Sequence, residues 1–131
     1  SNFCNNCQFY IEQKISIMIQ TKFQNCIEAC QQCVVICNQC AVACLNEKDV
    51  EHLKKCIQLN LECAAICSAA VSVLSLDGKF SKELCKICIE ICNACAEECE
   101  KHVAMGMEHC KQCADACREC AKACKEMLAT A

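Results

Sequence analysis

Residues 26–44 read CIEACQQCVVICNQCAVAC, with cysteine at 26, 30, 33, 37, 40 and 44. Steps that alternate between four and three residues bring every one of these cysteines onto a single stripe of an α-helix, the a/d seam of a helical bundle. The same rhythm returns at Cys85, Cys88, Cys92, Cys95 and Cys99, and again at Cys110, Cys113, Cys117, Cys120 and Cys124. Cys56, Cys63 and Cys67 keep it too, provided Asn60 stands where a cysteine is due. The row from Cys26 to Cys44 alone would run about 27 Å at roughly 1.5 Å per residue.

Around these seams the sequence predicts four helices, over about 22–45, 47–76, 81–103 and 107–128. Asn46 is a candidate N-cap for the second, with Asp49 three residues on in a box-like position. Asp77-Gly78 is a stop signal, since glycine takes the left-handed cap conformation readily, and Ser81 is a candidate N-cap for the third helix. Gly106 separates the third from the fourth. Loops of a few residues join antiparallel neighbours, so the expected fold is all-α, an up-down-up-down four-helix bundle spanning residues 22–131. Residues 1–21 form an appendix. Ile11, Ile15, Met18 and Ile19 are spaced as one face of a short amphipathic helix that would dock on the bundle.

Composition agrees. Cysteine accounts for 21 of 131 residues, well beyond the roughly 8–10% that marks a cysteine scaffold. The absence of proline, with two glycines and one tyrosine, argues against a turn-rich disulfide fold or a β-sandwich. A net charge of −3 from 13 basic and 16 acidic side chains leaves no nucleic-acid footprint. No uninterrupted apolar run approaches the about 20 residues of a membrane helix.

Nineteen of the cysteines lie on the four seams, and their chemistry can be narrowed by elimination. A buried cysteine is often just a small hydrophobe, but at nineteen successive seam positions leucine and isoleucine would pack better and would not oxidise. A disulfide ladder meets poor geometry. The count is odd, cysteines at i, i+3 and i+4 point the same way, and helix axes roughly 8–10 Å apart allow few Cα pairs at ~4.4–6.8 Å. Metal binding fits. Cβ atoms at i and i+4 are about 5–6 Å apart, a gap that two metal–sulfur bonds of roughly 2.3 Å can bridge. Soft thiolates at low coordination number favour Cu(I), although they also suit Zn(II) and iron–sulfur clusters.

Charge separates these candidates. Nineteen thiolates carry about −19, a prohibitive burial unless neutralised. One Cu(I) per thiolate neutralises the shaft, whereas Zn(II) on four thiolates apiece fills about five sites and leaves roughly −9 behind. Iron–sulfur ligands come in short irregular runs, often followed by proline, which is missing here. Many Cu(I) ions per chain is therefore the expected cargo. A general thiophilic-metal store holding zinc, and a thiol–disulfide redox protein, are the alternatives. No substrate pocket, cofactor motif or lone activated thiol with a fixed base is visible, so an enzyme is not expected.

Registering the helices places Cys44, Cys56, Cys99 and Cys110 at one end, here the top, and Cys26, Cys67, Cys85 and Cys124 at the other. His52, His102 and His109 share the top with Met105 and Met107, which predicts a mouth where imidazole and thioether ligands pass Cu(I) inward. Phe23, Leu74, Phe80, Leu84 and Leu128 would plug the bottom. Asn60 interrupts its seam either as a hydrogen-bonding or oxygen-ligating amide, or as the register-setting buried asparagine of coiled coils. Cys4 and Cys7 form a C-x-x-C pair outside the bundle, without the βαβ setting of a thioredoxin motif. From Ala29 to Asn46 no residue is charged. That helix face needs a cover, from residues 1–20 or from another subunit.

Together, the ladder Cys26–Cys44, the pair Cys63-x3-Cys67, and the ladders Cys85–Cys99 and Cys110–Cys124 joined by a His/Met-bearing turn resemble the bacterial copper storage proteins. The resemblance covers about residues 22–128. It implies a four-helix bundle filled with Cu(I) on cysteine thiolates, with His or Met ligands at an open end and often a tetrameric assembly. The N-terminus without a leader and the high cysteine count resemble the cytosolic branch, which implies a cytoplasmic protein. A copper chaperone or a low-molecular-weight thiol would be its exchange partner, and neither nucleic acid nor membrane is expected. The segment with Cys4 and Cys7, and Asn60, depart from the family pattern.

Overall fold

The computed structural model describes residues 5–11 and 22–130. Residues 5–11 are helical (α1) and exposed along their length. The bundle follows: α2 (Gln24–Leu45), a 3-10 turn (Val50–Leu53), α3 (Lys54–Ser75), α4 (Ser81–Val103) and α5 (Glu108–Thr130). No strand occurs among the described residues. Each helix packs on its two neighbours in the order α2–α3–α4–α5–α2, the closed square expected of short antiparallel connections. All nineteen seam cysteines are buried inside it as free thiols. A predicted amphipathic docking helix at the N-terminus falls mostly outside the described residues. Of its four apolar positions only Ile11 is described, and it is exposed.

The helix bodies match their predicted ranges, and the ends differ for backbone reasons. Asn46 closes α2 instead of opening the next helix. Its N–H bonds back to the carbonyls of Val42 and Ala43, and Glu47 N–H bonds to Cys44 O. The chain then enters the second arm through the 3-10 turn, and the Asp49 carboxylate pairs with His52 Nδ1. Ser81 is the first residue of α4, not its cap. Its hydroxyl donates to Gly78 O at 2.6 Å. At the end of α3 the left-handed residue is Asp77 (φ 50°), not glycine. Asp77 N–H bonds to Leu74 O and Gly78 N–H to Val73 O, the paired bonds of a Schellman cap. Gly78 is needed for space, because a Cβ there would lie 3.2 Å from Val73 Cγ1 and 3.3 Å from its carbonyl oxygen. Gly106 (φ 88°) makes the corresponding turn after α4, where only glycine adopts that conformation freely.

By length and hydropathy, Gln24–Leu45 and Val50–Ser75 would suffice to cross a membrane, contrary to the reading from uninterrupted runs. The cysteines supply much of that hydropathy. They face the three other helices, with exposures of 0–2%. At the bottom, Phe23, Leu74 and Met127 are buried, and Leu84 and Leu128 pack against the core from half-buried positions. Phe80, expected in this plug, is 58% exposed, because it lies before the first residue of α4 and on its outer side.

Candidate metal centre

The seams put sulfur beside sulfur along the whole shaft. At the top, Cys40, Cys44, Cys56 and Cys110 form one group whose Sγ atoms all lie within 4.8 Å of one another, and Cys99 joins Cys56 at 3.6 Å. Lower down, Cys37, Cys95, Cys113 and Cys117 form a second group, then Cys33, Cys37, Cys63 and Cys117, then Cys33, Cys67, Cys92 and Cys120, under the same limit. Cys30 meets Cys120 at 3.6 Å. The lowest group is a trio, Cys26, Cys85 and Cys124, with Cys26 at 2.9 Å from Cys124 and 3.8 Å from Cys85. Cys67, registered with this trio in the sequence, sits one layer further in, beside Cys92 and Cys120. In α3 the next seam positions are Ala70 and Leu74, both fully buried. Cys88 is buried and faces the Ile66 carbonyl at 4.0 Å.

Asn60 fills the gap in its seam with no exposed surface. Its Oδ1 accepts from Cys95 at 3.0 Å and Cys113 at 3.1 Å, with Cys99 at 3.7 Å. Its Nδ2 donates to Cys56 at 3.8 Å. An amide oxygen thus points at thiols of two other helices where a fourth α3 sulfur would have stood. Both uses weighed from sequence, binding thiols and fixing register, are compatible with this geometry.

Packed thiols share protons. Hydrogen bonding to Cys110, foremost, holds Cys56 down to about 4. The Cys117 contact does the same for Cys63, and the Cys120 contact for Cys67, each lowered to about 7. Across the shaft, Cys99, Cys117 and Cys120 are pushed up, chiefly by bonding to Cys110, Cys113 and Cys124 respectively. One thiolate stabilised by S–H donors obliges its donors to keep their protons. Facing cysteines are thus pushed in opposite directions, so a proton given up by one is held by its partner.

The histidines divide. His109 Nδ1 lies 3.6 Å from Cys40 Sγ, 3.8 Å from Cys44 Sγ and 3.5 Å from Cys110 Sγ, and its Nε2 meets Glu47 Oε1 at 3.2 Å. A carboxylate accepts only, so the neutral ring carries its proton on Nε2 and turns the Nδ1 lone pair toward the sulfurs, an orienting contact typical of metal-binding histidines. Burial works against the charged ring, but the bonds to Cys40 and Glu47 outweigh it and hold the His109 pKa above its ordinary value. His102 is buried with both ring nitrogens free of hydrogen bonds, and its Nε2 stands 3.4 Å from Glu98 Oε1. His52 is exposed and paired with Asp49. Met105 is exposed and Met107 half-buried against the core.

This arrangement has relatives. A profile of the copper storage proteins matches residues 19–129. The chain belongs to that family. The copper storage protein Ccsp of Streptomyces lividans, solved with 10 copper equivalents, is 41% identical; the match covers 82% of this chain and 84% of that one at a TM-score of 0.79. The Cu(I)-bound copper storage protein BsCsp3 is 44% identical, over 82% of this chain and 99% of that one, with a TM-score of 0.77. The cysteine-rich protein YhjQ of Bacillus subtilis, whose function is uncharacterised, is 47% identical over 63 residues, 48% of this chain. The chain spans 58% of YhjQ's length in that match.

Within this family member, the sequence reading missed two acidic groups. Glu47 orients His109 from across the top, and its place was readable only from the register that sets Leu45–Asp49 beside His102–His109. Glu98 is buried with Lys101 at 3.1 Å, Lys55 at 3.8 Å and His102 around it. In the heptad register of its seam Glu98 falls at the flanking g position and Glu97 at the outermost f position, a signal the sequence reading did not use.

Proposed function

We propose that the chain takes up many Cu(I) ions on the thiolates of its nineteen seam cysteines and holds them as a store or buffer, acting by binding and not by catalysis. The observation that carries this reading is that the four-sulfur groups overlap: Cys33, Cys37 and Cys117 each belong to two of them. Independent tetrahedral Zn(II) sites need four ligands each and cannot all be filled from shared sulfurs. Cu(I) accepts few soft ligands, so thiolates bridging neighbouring ions use such overlap and cancel the charge of the shaft. Asn60 Oδ1 and His109 Nδ1 supply the two non-sulfur donors, with His109 at the mouth. Met107, Met105, His102 and His52 are accessory at most. The copper-loaded relatives support the same cargo.

One of those relatives is described as a cytosolic copper storage protein from Streptomyces lividans, and a cytoplasmic site suits the reading, because a reducing compartment keeps thiols free. A copper chaperone or a small thiol would deliver and withdraw the ion. Val35, Val42 and Leu45 on the uncharged stretch of α2, and Leu61 on α3, are exposed. They support a homo-oligomer, whose mass sedimentation would read directly.

The decisive experiment is an anaerobic titration of the reduced chain with Cu(I), and separately with Zn(II), against a competing chelator. Cu(I) binding well past five ions per chain, and tighter than Zn(II), is expected. Saturation at about five ions, the count for four-ligand sites, or copper held more weakly than zinc, overturns the proposal.

A further inference from the structure

Among the nineteen seam cysteines only Cys26 and Cys40 retain any exposed surface, 1% and 2%. Cys40 lies under His109 at the mouth. Cys26 lies at the opposite end, the one where Phe23, Leu74 and Met127 are buried. A cavity of about 230 Å³ opens beside it, between the start of α2 and the last turns of α5, and Cys26 is part of its lining. At roughly 30 Å³ per water that is room for a small solute and not only for an isolated water. The rim is polar and carries both signs: Lys22 and Asn25 on one side, Glu126 and Thr130 on the other, with Ala123 and Cys26 on the walls. Lys22 is two-thirds exposed; among the described residues its ammonium group lies 5.0 Å from the centre of the Phe23 ring and 3.9 Å from Asp77, a long ion pair that a closer carboxylate can replace. Cys26 is in turn the outermost member of the lowest three-sulfur group, 2.9 Å from Cys124.

We infer that this cavity is a second port, through which a small zwitterionic thiol reaches Cys26 and withdraws Cu(I) from the lower end of the shaft. The inference rests on the copper reading above. The ammonium of Lys22 suits the carboxylate of an amino-acid thiol and the carboxylate of Glu126 its ammonium group, while the cavity excludes a folded protein donor. The step is a ligand exchange. The incoming thiol sulfur binds the Cu(I) held by Cys26, the Cu–S(Cys26) bond breaks, and the thiol's proton passes to the Cys26 thiolate. Copper remains Cu(I), and nothing is oxidised or reduced.

Two measurements test this, the first without any metal. Brief anaerobic treatment of the native copper-free chain with iodoacetamide, followed by peptide mapping, should alkylate Cys26 ahead of Cys30, Cys85 and Cys124, and Ala123→Trp, which fills the cavity, should protect it. Equal labelling of these four cysteines overturns the port whatever the cargo is. Second, L-cysteine should strip Cu(I) from the loaded Ala123→Trp chain roughly tenfold more slowly than from the parent, a barrier about 1.4 kcal/mol higher, with capacity unchanged. Should Ala123→Trp fold poorly, Lys22→Glu on the rim makes the same test: slower stripping by L-cysteine with an unaltered rate for neutral 2-mercaptoethanol. Parent-like stripping by L-cysteine in both variants overturns the port and leaves copper storage standing, whereas a chain that binds no Cu(I) overturns the storage reading itself.

Discussion

The two ends of the shaft are closed by different chemistry. At the top, His109 lies over Cys40, Cys44 and Cys110 and is held by Glu47, so the last layer of sulfur meets a polar, titratable group. At the bottom, Leu74, Phe23 and Met127 are buried at the same end as the trio Cys26, Cys85 and Cys124, and the cavity opens beside Cys26. The contrast separates two tasks that one seam pattern cannot perform alike. A bundle cored with cysteine gains less from burial than one cored with leucine, because a thiol offers less apolar area than a branched side chain. The lower hydrocarbon layer adds apolar burial, whereas the upper end combines the buried Leu53 with the polar pair His109 and Glu47.

The largest effect should come from breaking the lower closure. Leu74 is fully buried, and Leu74→Ala removes three carbons where the helices converge, at a cost of about 2–5 kcal/mol. Urea unfolding of the reduced, copper-free chain measures it. The same measurement on His109→Ala should show about 1 kcal/mol or less, since a half-buried histidine–carboxylate pair contributes little. If the two variants lose equal stability, the ends do not divide the work in this way.

Uptake should show the opposite ranking. His109→Ala removes the one imidazole that faces the sulfurs, so stopped-flow loading with chelated Cu(I) should slow roughly tenfold, about 1.4 kcal/mol in the barrier, with the final number of ions nearly unchanged. Adding His102→Ala should slow loading little further, because the His102 ring stands beside Glu98 and neither of its nitrogens hydrogen-bonds a seam sulfur. A double variant much slower than His109→Ala would place His102 on the path after all, and unchanged loading in both would remove the histidines from it.

This division between the histidines shows where sequence reading stops. The seams were legible because a chemically distinctive residue repeats at a period of 3.5, a pattern that only facing helices satisfy, and the gap at Asn60 was legible for the same reason. By that rhythm His102, three residues past Cys99, continues a seam, whereas His109, next to Cys110, does not. In the structure it is His109 that faces the sulfurs, because the Gly106 turn brings the first turn of α5 over the opening and lets an off-seam ring reach three of them. The helix ends were misread on related grounds. Whether Asn46 opens one helix or closes another, and whether Asp77 or Gly78 takes the left-handed conformation, is decided by which carbonyl each N–H reaches. The cavity at Cys26 left no trace in the sequence, since Lys22 and Glu126 look like any solvated charges until α2 and α5 meet.

The smallest effect concerns how the mouth responds to pH. Protonated imidazole has no lone pair to offer a metal, and bonding to Cys40 and Glu47 keeps His109 protonated to higher pH than an ordinary histidine. Copper uptake should therefore fall on mild acidification. Glu47→Gln keeps an acceptor for the Nε2 proton but removes the charge that favours imidazolium, so the fall should move to lower pH, while rates at alkaline pH stay the same. Stability has the opposite sign. A folded-state pKa raised above the unfolded value near 6.5 adds stability that is complete below that value and lost as pH rises through the folded one. Glu47→Gln should thus cost a little stability under acid conditions and none at pH 8. A pH profile of uptake that does not move, or a stability loss that grows with pH, would show that Glu47 sets the position of the ring and not its charge.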